Sequence, residues 1–180
     1  MNPSTLMFCS AAVCLTALLA SPAKTAADSA KSASHTGVIR LQGMINRVFP
    51  LFTPIEEKQW APGWDPKPIN PADGKVQEGM IFETDGPPRI IWVVTKYDPG
   101  SHEIDYLTLG PDIVRQLKIR CSYENGTTTA QVTDTVTAIS DHGNDMVERN
   151  TQEKHEARIQ HWEMAINHLL KTGKRIEEHQ

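Results

Sequence analysis

Arg115, Asp134 and His155 are the side chains of this sequence whose chemistry stands out most against their surroundings. Alternation along Ile113–Tyr123 puts Arg115 on one face with the apolar Leu117 and Ile119, and Asp134 falls among Ala130, Val132 and Val136 at the same spacing of two. His155 opens a series continued by Ile159, Trp162, Ile166 and Leu169 at intervals of three and four residues, the apolar stripe of a helix. A guanidinium, a carboxylate and an imidazole turned toward a core must each find a partner, because an isolated charge loses its hydration there. Two readings follow. The groups are polar anchors or acid–base residues in an apolar cavity, or Arg115 and Asp134 are a structural ion pair near a strand end and His155 is a satisfied residue at the core boundary.

The elements that would position these groups are legible in the punctuation of the chain. Asn125-Gly126 is a strong signal for a two-residue hairpin turn. It sets residue 124 opposite 127, hence Leu117 opposite Asp134 and Cys121 opposite Ala130, with Arg115 a diagonal neighbour of Asp134. Further strands are expected over His35–Gln42, Gly79–Glu83, Arg89–Tyr97, Glu103–Leu109, Ile113–Tyr123 and Thr127–Ser140, separated by Gly, Pro, Asp and Asn clusters. Two short helices follow the first strand, one capped by Asn46 and one opened by the capping box Thr53-Pro54-Ile55-Glu56. Pro62, Pro66, Pro68 and Pro71 then predict an irregular loop whose Trp60 and Trp64 act as a packed clamp. A long C-terminal helix starts at Asp145 or Asn150 and is stopped by Gly173. The expected fold is α+β, a helix-grip: a curved antiparallel sheet of six to seven strands wrapped around that helix.

Composition narrows the function classes. With 18 basic against 22 acidic residues and no Lys/Arg block, the chain lacks the footprint that nucleic acid or an anionic membrane surface demands. The apolar run Leu6–Ala20 is too short for a stable membrane span and resembles the core of a secretory signal, with Ser21-Pro22-Ala23 a cleavage site and Ala26 and Ala27 its rivals. The expected organisation is a signal peptide over 1–26, a small-residue linker over 27–34, a domain over 35–173 and a tail over 174–180, in an exported protein, periplasmic or secreted, the alternative being a cytoplasmic protein whose apolar run is an extension. Cleavage would leave Cys121 as the single thiol, so no internal disulfide is expected. The histidines show no zinc spacing, and no GxSxG, P-loop or GxGxxG occurs, so neither metal nor cofactor is implied. The oligomeric state is left open.

The block VFPLFTPIEEKQWAPGWDP from Val48 to Pro66, with GMIFET from Gly79, IWVVTKYDP from Ile91, IDYLTLGP from Ile104 and Trp162, resembles bacterial members of the SRPBCC superfamily, which includes START and polyketide cyclase-like domains. The resemblance covers about residues 36 to 171. It implies an elongated, mostly apolar cavity closed at one end by the two short helices, with Trp60 and Trp64 at the closure. It further implies binding of a lipid, steroid, polyketide or other small hydrophobic partner, the cavity serving some members as an active site. The expected ligand-contacting residues are Trp64, Trp92, Tyr106, Arg115, Leu117, Ile119, Asp134, His155 and Trp162. The alternatives are a cyclase-like or hydrolytic enzyme using Arg115, Asp134 and His155, and a structural module with a filled core.

Overall fold

The computed structural model describes residues 30–86 and 89–177. The expected leader and residues 27–29 of the expected linker lie outside them. Seven strands, β1 Ser32–Leu41, β2 Lys67–Asn70, β3 Ile81–Thr84, β4 Ile90–Asp98, β5 Glu103–Leu109, β6 Ile113–Glu124 and β7 Thr127–Ala138, form one antiparallel sheet in the order β1-β7-β6-β5-β4-β3-β2. The short helix α1 Ile45–Val48 runs into a 3₁₀ turn at Phe49–Phe52, and a second 3₁₀ turn spans Glu56–Gln59. Helices α2 Asp141–Arg149 and α3 Gln152–Thr172 close the chain.

The Asn125-Gly126 register holds along its whole length: Glu124 faces Thr127, Cys121 faces Ala130 and Leu117 faces Asp134. Both turn residues have positive φ, 50° and 85°, as the tight hairpin requires. The inner face therefore collects Ile39, Leu41, Ile104, Ile119, Ala130 and Val132, buried together with Ile159 and Ile166 of α3. A bulge between Val94 and Lys96 interrupts β4, a device that bends a strand and increases its twist.

Both sheet edges are protected. Along β1 the outward backbone groups are taken by α3 side chains: Arg40 N–H donates to Glu163 (2.8 Å), Gln42 N–H donates to Asn167 (2.8 Å), and Asn167 and Gln152 donate to the carbonyls of Arg40 (2.9 Å) and Thr36 (3.1 Å). The far edge, β2, is four residues long and carries Pro68, the combination that discourages further pairing.

Four expectations need correction. The stretch after Trp64 is not wholly irregular, since Lys67–Asn70 pairs with β3; proline is tolerated because this is an edge strand. The C-terminal helix is two helices, because Ser140 and Thr151 each cap a start, Ser140 Oγ accepting from Gly143 N–H (3.0 Å) and Thr151 Oγ1 from Lys154 N–H (3.4 Å). Neither Asn46 nor Thr53 acts as a cap: α1 begins after Met44, and the Thr53 hydroxyl donates to the Pro50 carbonyl (2.7 Å) while Glu56 takes the Gln59 amide. Finally, Ser32–Ser34 belong to β1 rather than to a linker. The docking of α2 depends on Gly143, where a Cβ would come within 2.1 Å of the Asp112 carbonyl oxygen.

Candidate ligand cavity

The segment Leu51–Pro54 offers carbonyls that no regular helix consumes, and aromatic tips consume them. The Trp60 indole N–H donates to Leu51 O (2.7 Å), the Tyr106 hydroxyl to Phe52 O (2.6 Å) and the Trp64 indole N–H to Pro54 O (2.8 Å). The clamp expected of Trp60 and Trp64 is thus built from hydrogen bonds as well as ring contact, each indole burying an apolar body while its polar tip is paired. On the sheet side, Trp92 donates to Thr84 Oγ1 (3.1 Å) and stacks on Phe82 with ring centres 5.7 Å apart. Trp64 meets Trp92 edge-on at 5.3 Å, and Trp60 meets Trp162 of α3 at 5.8 Å.

These rings enclose a space of about 110 Å³. Phe52, Trp60 and Trp64 wall it on one side, Phe82, Trp92 and Tyr106 on the other, with Leu117 and Ile119 from β6 and Trp162 from α3 completing it. One carboxyl group faces this lining, that of Glu57. The second 3₁₀ turn explains why: with three residues per turn, Glu57 lies on the same face as Trp60, which is 2% exposed. Glu57 as a residue is half-buried, but its carboxyl has no hydrogen-bond or ion-pair partner among the described residues. Burial alone pushes its pKa from 4.5 to about 8. The folded chain therefore keeps a proton at Glu57 that the unfolded chain releases above pH 4.5. Glu57's contribution to stability is complete below that pH and is lost as pH rises through about 8. Burial likewise raises the Tyr106 phenol, with the Glu57 charge adding to the effect.

No protein-family model matches the chain, and no curated protein matches it. Solved structures do match. Norcoclaurine synthase of Thalictrum flavum superposes with a TM-score of 0.59 at 12% identity, covering 79% of this chain and 96% of that one. The protein Ara h 8.0201 does so with a TM-score of 0.57 at 11% identity, covering 76% and 98%. CalU16 of Micromonospora echinospora gives 0.52 at 14% identity, covering 79% and 89%. The chain shares the helix-grip fold of these structures.

Within this helix-grip fold, Trp64, Trp92, Tyr106, Leu117, Ile119 and Trp162 line the cavity. Arg115, Asp134 and His155 do not. They gather beneath the N-terminal half of α3, with Arg158, which the sequence reading missed because it flanks the apolar stripe rather than lying on it. Asp134 is completely buried; Arg158 Nη2 lies 2.6 Å from Oδ2 and Arg115 Nε 3.3 Å from Oδ1. The same Arg158 nitrogen is 3.0 Å from His155 Nδ1, and His155 Nε2 is 3.2 Å from the Val132 carbonyl. A guanidinium only donates, so Nδ1 must accept and Nε2–H must donate to the carbonyl. Both ring nitrogens are spent. Burial first, then Arg158, lowers the His155 pKa, which keeps this neutral form in place. Burial also lowers the pKa of Arg115, against the pull of Asp134. The helix-grip cavity and this ion cluster are two separate features, and the elongated void that the resemblance implies is here largely filled by indoles.

Proposed function

We propose that this protein binds a small apolar or amphipathic molecule in the aromatic cavity, with Glu57 as the ligand's polar contact. One observation carries the reading: a carboxyl without a hydrogen-bond or ion-pair partner among the described residues faces a space walled by aromatic side chains. Strongly perturbed carboxyls in clefts concentrate at functional sites. The volume narrows the ligand. A cavity of about 150 Å³ takes a benzene in a well-studied engineered case, so about 110 Å³ suits a molecule on the scale of one small ring rather than a steroid or a lipid tail. Export, which the apolar leader supports, is part of the proposal.

A second reading has its own support. A carboxyl whose pKa is pushed up to about 8 in an aromatic-lined pocket suits general acid–base chemistry. Glu57 would be the proton carrier; His155, whose nitrogens are both engaged, is not available for that role. Native mass spectrometry of the protein from its own source tests the binding proposal. A bound species of single-ring size, lost when Leu117→Phe narrows the space, is the expected result. A ligand-free protein that also takes up no single-ring compound on titration would instead make this a structural module.

A further inference from the structure

Resting on the cavity reading above, we propose that the ligand is a compact organic ammonium ion, its cationic head enclosed by the rings and its charge balanced by the Glu57 carboxylate. Three observations point to this class. The first is the geometry of the walls. Trp64 and Trp92 stand at 85° to one another, Trp92 and Tyr106 at 86°, Phe82 and Tyr106 at 87°, and Trp60 and Trp162 at 63°. Phe82 and Trp92, by contrast, lie nearly parallel at 11°. Aromatic side chains gathered around one small space hold quaternary ammonium groups through the negative faces of the rings.

The second is what the cavity's polar tips can offer. The donors of Trp60, Trp64, Trp92 and Tyr106 are committed to Leu51 O, Pro54 O, Thr84 Oγ1 and Phe52 O. A ligand that needs several donors, a phosphate above all, would find the Trp162 indole N–H and the single O–H of a protonated Glu57. Among the described residues no Lys or Arg lines the cavity; Arg115 and Arg158 are engaged with Asp134 elsewhere. A cation matches the supply, because it needs acceptors and π faces and no donor. The third is Glu57 itself. A neutral apolar ligand would leave its carboxyl unpaired in the complex, whereas an ammonium head gives the ionised form a partner and lets the proton pass to solvent. Among the described residues, the only other titratable side chain lining the cavity is Tyr106 on β5, with Tyr97 of β4 near it. The small volume limits the cation to a compact head such as a trimethylated amine.

The test compares choline with its neutral isostere 3,3-dimethylbutan-1-ol, titrated into the full chain and followed by tryptophan fluorescence and calorimetry. Choline is expected to bind about tenfold more tightly or better, the scale of a desolvated cation–π contact. Its affinity should rise with pH between 6 and 7.5 by about tenfold per unit, because one proton leaves for each cation bound, while the alcohol's affinity stays flat. Glu57→Gln should remove both the preference and the pH dependence. If that variant does not fold, the pH series on the unaltered chain decides alone. Equal or tighter binding of the alcohol, or a flat pH series for choline, overturns the ammonium assignment and leaves the cavity reading standing. Failure of both probes to bind at millimolar concentration counts against both.

Discussion

Asp134→Leu lowers the unfolding free energy by about 3 to 5 kcal/mol, the cost of breaking a buried ion pair from one side. Asp134 is wholly buried and holds two guanidinium groups at once. Leucine has nearly its shape, so the loss is electrostatic: two like charges are left facing each other, and the Arg115 Nε, already without a hydrogen bond, has no counter-charge. Removing one arginine costs less, since the other still pairs with the carboxylate. Arg158→Met costs more than Arg115→Met, because it also leaves His155 Nδ1 without its donor. Replacing all three charges by apolar residues should recover much of the Asp134→Leu loss, the non-additivity expected of one network. Denaturant midpoints at unchanged slope measure each step. An Asp134→Leu protein as stable as the parent would show that the cluster contributes nothing.

The second large effect is expected at Trp60. Its side chain is packed against Trp162 and 2% exposed, so Trp60→Ala should cost about 3 to 5 kcal/mol. Trp60→Phe separates the two contributions: it keeps most of the buried area, loses the bond to Leu51 O, and should cost about 1 to 3 kcal/mol. Trp64, half-buried, should cost less than Trp60 on truncation to alanine. Similar losses at Trp60 and Trp64, both below about 1 kcal/mol, would make this loop an ordinary surface segment.

Signals that act locally were legible in the sequence, and those that depend on packing were not. Asn125-Gly126 sets its register through the φ demands of two adjacent residues, and that register carried Arg115 and Asp134 to one face before any neighbour was known. The His155 stripe was legible for the same reason, as a pure periodicity. Pro68 concealed β2, because a proline that signals a loop in isolation is harmless on an edge strand. The helix start was expected at Asp145 or Asn150, whereas Ser140 and Thr151 are the caps used, and the break at Asn150 that makes two helices has no local sequence signal. Glu57 was hidden by its neighbour. A capping box assigns Glu56 the structural role and leaves Glu57 on the solvent side of an α-helix. The segment is 3₁₀, where residues 57 and 60 eclipse, and the carboxyl turns inward beneath Trp60. The tryptophans and the quoted block gave the place of the cavity, but its size depends on how four indoles interlock, which no spacing rule conveys.

Glu57 is a carboxyl held neutral among aromatic rings, without a partner among the described residues. A carbon-13 NMR titration of the Glu57 side-chain carboxyl in the ligand-free chain, assigned by Glu57→Gln, addresses that claim at the atom concerned. A midpoint near 8 is the predicted result, with Trp60 and Trp92 indole signals shifting over the same range. A midpoint near 4.5, the ordinary value for a glutamate, would place the carboxyl in water and contradict the account.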